Sequence, residues 1–194
     1  MNDLDSVVDD YIRDHQDRAE REQRWFAIQP NLRRAVEVAA LAQSPSGKRL
    51  SHQRRIPGRV LQESLRRLFL KLAVLKRARN FDTVYNLVSS TIGPIAGIGE
   101  LAVYDTALRI GAYLGLAPDK IYLHAGTRTG AEKLGLPISD EHLELSQLPT
   151  EFRRLKPNEI EDVLCIYKRR FDGLETSHRP SSRKRTVCGV AINS

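Results

Sequence analysis

Cysteine is scarce in this 194-residue chain: only Cys165 and Cys188 occur. They form no C-x-x-C pair and no Cys/His cluster in the sequence, so neither a disulfide framework nor a zinc or iron–sulfur site is expected. The expectation is a reducing cytoplasm and no metal. Aromatic residues make up only 6%, which disfavours a β-sandwich rich in Trp and Tyr. No run of about 18 consecutive apolar residues exists, so no membrane-spanning helix and no membrane partner are expected. The first residues, MNDLDSVVDDYIRDH, carry acids where a secretion signal has its apolar core. What is present is a 41% hydrophobic fraction, enough to bury a core and to exclude wholesale disorder.

Charge is spread unevenly. The chain carries a net +7. Residues 1–24 hold eight acids against four arginines, whereas residues 48–79 hold eleven bases against one acid, Glu63. Arg179, Arg183, Lys184 and Arg185 add a basic run near the end. A basic block of this kind suits a polyanion, because neutralising phosphates releases counterions and adds affinity. It suits a solvated helix face equally well. The acidic lead can also fold back and shield the basic block.

Apolar spacing predicts an all-α protein. Residues 7–28 read as a charged helical segment ending in the patch Trp25-Phe26-Ala27-Ile28. A helix over Asn31–Gln43 follows and stops at Ser44-Pro45-Ser46-Gly47. After a loop, Pro57 opens a helix with a stripe at Leu61, Leu65, Leu68, Leu72 and Leu75, leaving Arg59, Arg66, Arg67 and Lys71 nearer solvent. Asp82 is expected to cap a helix through Val84, Leu87 and Val88 that ends at Gly93-Pro94. The last helix starts at Pro157 and turns Ile160, Val163, Leu164, Tyr167 and Phe171 inward. Three parts are expected: an acidic N-terminal helical segment (1–29), a helical core (30–173) with a hairpin at 81–116, and a basic flexible tail (174–194).

Residues 92–116, IGPIAGIGELAVYDTALRIGAYLGL, carry the most information. A helix runs into Gly97-Ile98-Gly99, and a second carries Val103, Ala107, Ile110 and Leu114 on one face. Glycines permit backbone angles closed to other residues and let a phosphate approach the chain. Ile98 is placed to anchor the turn in the core. The amides of Gly99, Glu100 and Leu101 would sit at a helix N-terminus, where the partial positive charge favours an anion. The same pattern also describes a glycine-rich helix–helix turn without a ligand.

This arrangement resembles the helix-hairpin-helix motif. Together with IYLHAGTRTGAEKLGL at 121–136, it resembles the helix-hairpin-helix DNA glycosylases, the family that includes endonuclease III. In that family an apolar run leads to Asp-Thr-His-Val and then to a helix of the form R-V-A-x-R-L-G-L. Here Ile121-Tyr122-Leu123 matches the run, and Ala131 and Leu134-Gly135-Leu136 match the helix. The resemblance covers roughly 81–137, with an interval after the hairpin a few residues longer than the family's. It implies a compact helical domain with a glycosylase-like core, DNA as partner, and a monovalent cation at the hairpin as a family option. No small-molecule cofactor is expected.

The departures bear on function. His124 stands where the family has its catalytic aspartate, and a histidine supplies no fixed negative charge. Leu101 stands where bifunctional members have the lysine that attacks the sugar. The family's iron–sulfur cysteines are missing. If the chain were an enzyme, His124, Asp105 and Tyr122 are the candidates, with Asp105 fixing the His124 tautomer; ordinary structural roles fit both residues. Arg128 reads as a phosphate or carboxylate partner, and Thr127 as a cap accepting from the Gly130 amide. Cys165 reads as a packed thiol. Ser139-Asp140-Glu141-His142 looks like a helix start. Ser46-Gly47-Lys48 lacks the earlier glycine and strand of a phosphate-binding loop.

The leading expectation is a noncatalytic, largely sequence-independent DNA-binding protein. It would use Gly97, Ile98, Gly99, Glu100 and Leu101, with Arg54, Arg55, Arg59, Arg66, Arg67 and Arg128 extending the contact. The alternatives are a divergent glycosylase or other DNA-processing enzyme, and a protein-interaction subunit of a bacterial repair or defence complex that docks through its acidic N-terminal segment.

Overall fold

A computed structural model describes residues 3–172 and 174. The basic run at 179–185, Cys188 and the expected flexible tail lie outside the described residues, apart from Leu174. Helix α1 (Leu4–Tyr11) is capped by Asp3, whose carboxylate accepts from the Ser6 amide at 2.8 Å. One π-helical turn (Ile12–Gln16) joins it to α2 (Asp17–Ala27) without leaving helical backbone angles. Then follow α3 (Leu32–Ala40), α4 (Gly58–Phe69), the short α5 (Leu72–Leu75), α6 (Phe81–Ile92) and α7 (Glu100–Leu114). Strand β1 (Ile121–Tyr122), α8 (Ala125–Lys133), β2 (His142–Leu143) and α9 (Pro157–Ile166) complete the described chain. It is mostly helical, as the spacing predicts, with one two-stranded antiparallel ribbon pairing Ile121 with Leu143 and Tyr122 with His142.

Several local expectations are corrected. The 57–75 stripe is broken after Phe69, so Leu75 reaches the core from a separate turn. The cap of α6 is Asn80, which accepts from the Thr83 amide at 2.9 Å, while Asp82 lies inside the first turn. Residues 139–142 start no helix, because His142 is taken up by pairing with β1. Thr127 lies within α8 rather than at its start, and His124 is the cap position.

Buried apolar side chains form two clusters. One gathers Val36 and Ala39 of α3, Leu65 and Leu68 of α4, Phe81, Val84 and Val88 of α6, and Val103, Ala107 and Ile110 of α7. The other gathers Leu4, Val7, Val8 and Tyr11 of α1 with Leu134, Leu143, Phe152, Ile160, Val163, Leu164 and Phe171. Alternation along β1 links them. Ile121 and Leu123 belong to the second cluster and Tyr122, between them, to the first.

The acidic N-terminal segment is therefore part of the core. Burying four apolar side chains of α1 contributes roughly 1.5–3 kcal/mol apiece. Among the described residues none of its acids pairs with a lysine or arginine of the 48–79 block. Asp9 pairs with Arg154 at 2.8 Å, Glu20 with Lys156 at 2.6 Å, and Asp10 with Arg170. Those ties lock α1 and α2 to the C-terminal part of the domain and leave the basic block uncovered by these acids.

Candidate nucleic-acid interface and an adjoining polar cavity

The turn at 93–99 joins α6 to α7. Ile95 and Ile98 tack it to the first apolar cluster, Ile95 buried and Ile98 half-buried. The Ile98 amide donates to the Ile95 carbonyl at 2.9 Å, closing a tight loop. Gly97 has φ +94°, a conformation that side-chain-bearing residues avoid. Its neighbour is Val60 of α4, whose methyl groups are an ordinary contact distance from where a Cβ would lie. The backbone angle, not crowding, therefore calls for glycine at 97.

Gly99 is different. Its φ of −104° and ψ of 171° suit any residue, and a Cβ added there would meet nothing within 4 Å. It occupies the N-cap of α7, where Ser, Thr, Asp or Asn would satisfy orphan amides. Its carbonyl accepts from Ala102 and Val103 at 3.0 and 3.1 Å. The amides of Gly99, Glu100 and Leu101 have no hydrogen-bond acceptor among the described residues, and Gly97, Gly99 and Glu100 are exposed. The turn thus offers a short row of bare N–H groups at the positive end of a 15-residue helix.

The basic block is largely free. Lys48, Arg54, Arg55, Arg59, Lys71, Lys76, Arg77 and Arg79 are exposed and pair with no acid among the described residues. Arg59 directly precedes the valine that touches Gly97, which puts it beside the turn. Arg66 and Arg67 are shared with Glu63, each at 2.7 Å, so their charge is partly neutralised. These two arginines hold the Glu63 carboxyl at about 2. Arg128 is spent inside the protein. Its guanidinium donates to the carbonyls of Ile138 at 2.6 Å, Leu123 at 3.2 Å and Asp140 at 3.3 Å. It ties α8 to the loop before β2 instead of standing out as a phosphate partner.

The three residues singled out for catalysis do not converge. The Tyr122 hydroxyl donates to Asp82, and its ring packs on Phe81 and Tyr85. His124 bonds to Glu161, and the Thr127 hydroxyl bonds to both. Asp105 accepts from Gln53 and from Arg109 at 3.1 Å, with His52 3.6 Å away. Burial works to raise the Asp105 carboxyl, but the Arg109 charge and the hydrogen bonds from His52 and Gln53 bring it below its ordinary value. Asp105 in turn raises His52 above the usual imidazole range.

Asp105 and Arg109 line a polar cavity of about 390 Å³ between α2, α7 and α9. His52, His15, Glu22, Glu161 and Asp162 are among its other polar lining residues. Two buried nitrogens of these side chains, Arg109 Nη1 and His15 Nδ1, have no hydrogen-bond partner among the described residues. Burial, aided by the Glu161 charge, pushes the Asp162 carboxyl up to about 7, while the Tyr11 hydroxyl, donating at 3.0 Å, opposes the shift. Sequence reading missed Gln53, Arg109, Glu161 and Asp162. The one-turn spacing of Asp105 and Arg109 was a local trace of the first pair. Glu161 and Asp162 had none, because carboxylates beside an apolar stripe ordinarily face water.

His124, Glu161 and Cys165 also meet. Their donor atoms lie within 4.8 Å of one another, with His124 and Glu161 buried. The sequence shows no such cluster, because α8 and α9 bring the three together across some forty residues. No protein-family model, no curated protein and no solved structure matches this chain.

Proposed function

We propose that this protein binds DNA without cutting it, holding the phosphate backbone on the amides of Gly99, Glu100 and Leu101. One observation carries this reading. Gly99 occupies a helix cap where neither backbone angle nor packing calls for glycine, and the choice leaves the amides bare. An Asp or Ser there would stabilise α7 by a few tenths of a kcal/mol relative to glycine. A protein that forgoes this keeps the row open to an outside acceptor, and a phosphate is the acceptor that the helix end and the nearby bases favour. Arg59 beside the turn, and Arg54, Arg55 and the other unpaired bases, extend the positive surface.

Contacts of this type read no base edges, so binding is sequence-independent. The resemblance to helix-hairpin-helix glycosylases agrees with the location. The enzymatic alternative is weakened by the separation of Asp105, His124 and Tyr122 into three different bonding groups. The protein-docking alternative is weakened because acids of the N-terminal segment are engaged within the chain.

Fluorescence anisotropy with labelled duplex, single-stranded, gapped and abasic DNA tests the proposal. The expected result is micromolar or tighter binding at low salt to at least one form, with affinity falling steeply as salt rises. Absence of binding to every form at low salt overturns it.

A further inference from the structure

We infer that His124, Glu161 and Cys165 form a binding site for a zinc-class divalent transition metal. The three supply an imidazole nitrogen, a carboxylate oxygen and a sulfur, the donor types that zinc takes in proteins. Their donor atoms lie within 4.8 Å of one another, the range from which small side-chain rotations bring three ligands onto one ion. The arrangement is built by backbone. Glu161 and Cys165 are one turn apart on α9 and share a face. His124 stands at the start of α8 in extended conformation.

Two glycines let α8 approach α9 closely. A Cβ at Gly130 would lie 2.0 Å from the Leu164 carbonyl oxygen, and one at Gly126 would lie 2.6 Å from Cys165 Sγ. The second glycine makes room for the thiol itself. That thiol has no hydrogen-bond partner among the described residues, so a simple His124–Glu161 bond does not account for it. Thr127 donates to Glu161 at 2.8 Å, which is how a supporting hydroxyl orients a ligating carboxylate. Glu161 also lines the polar cavity, which provides an entry path and a source of water for a fourth ligand.

The bonding change balances without an external reagent. The ion parts His124 from Glu161 and takes a lone pair from each. The proton held in their hydrogen bond moves to Nδ1 of the imidazole or leaves to solvent, and the Cys165 thiol gives its proton to solvent as the sulfur–metal bond forms. Hard magnesium, which prefers six oxygens, does not suit this donor set.

Full-length protein freed of metal with a chelator is titrated with zinc, and bound metal is measured by equilibrium dialysis and mass spectrometry. Cobalt is titrated in parallel and read by its thiolate charge-transfer absorption. The expected result is stoichiometric zinc, a raised melting temperature and a cobalt–thiolate band. Cys165→Ala should abolish the band and weaken zinc binding at least about a hundredfold. Circular dichroism of Cys165→Ala checks that its fold is kept, and Thr127→Val should weaken binding less. Zinc uptake no greater than that of Cys165→Ala, or cobalt bound without the band, overturns the assignment. No DNA enters the experiment, so its outcome is independent of the hairpin reading.

Discussion

Gly130 and Gly126 face the same helix but differ in what they face. The first points at the Leu164 backbone and the second at a side-chain sulfur. A backbone carbonyl cannot rotate away, whereas a thiol can. Gly130→Ala should therefore destabilise the protein by about 1–3 kcal/mol, and Gly126→Ala by less, as read from urea midpoints. Equal effects would show that α8 and α9 do not approach as described. Asp162 gives a second residue-scale expectation. Its folded value, about 7, lies above the ordinary 3.8. Its contribution to stability is thus fully present below the ordinary value and lost as pH rises through the folded one. His52, also raised, acts with the same sign above its ordinary 6.5. Melting temperature should fall as pH rises from about 4 to about 7; Asp162→Asn should flatten most of that slope, and His52→Gln should remove the part above about 6.5. A slope unchanged in both variants contradicts the assignment. None of these roles was legible in the sequence. Burial of Glu161 and Asp162 is decided by what packs on α9 from α1 and α8, and a local pattern does not encode that.

At the scale of elements, the sequence was most legible where one apolar stripe meets one core. Ile160, Val163 and Leu164 of α9 and Val103, Ala107 and Ile110 of α7 are buried where their periodicity places them, whereas α9 ends at Ile166, short of Tyr167 and Phe171, and also buries Glu159 and Glu161. The turn between α6 and α7 was legible because Gly97 and Ile98 have distinct duties there, one in backbone angle and one in partial burial, whereas Gly99 is needed for neither. Helix starts were less so, since Asn80 and Asp82 are both good caps and only the emerging backbone direction chooses between them. The ribbon of β1 and β2 escaped notice because two-residue strands have no period to read. For α1 the sequence showed an acidic helical segment free to fold on the basic block or dock on a partner, whereas Val7 and Val8 are fully buried. Val8→Asp should accordingly cost roughly 3 kcal/mol, measured by chemical denaturation. A loss within experimental error would contradict the burial of α1 in the core.

Over the whole molecule, the charge pattern written in the sequence survives folding in a sorted form. Acids of α1 and α2 neutralise Arg154, Lys156 and Arg170, and eight bases between 48 and 79 are exposed without an acidic partner among the described residues. The sequence disclosed the two blocks but not their partners, because ion pairing depends on which elements meet. In the reading proposed above, the bare amides at residues 99–101 hold a phosphate and the unpaired bases extend the contact. The most direct measurement is the paired effect of Gly99→Asp on helix stability and on DNA affinity. A carboxylate at that cap should bond the amides of α7, keeping the melting temperature level or raising it slightly, while it repels phosphate and lowers duplex affinity at least about tenfold at low salt. Affinity unchanged in a folded Gly99→Asp protein would contradict phosphate binding at the hairpin.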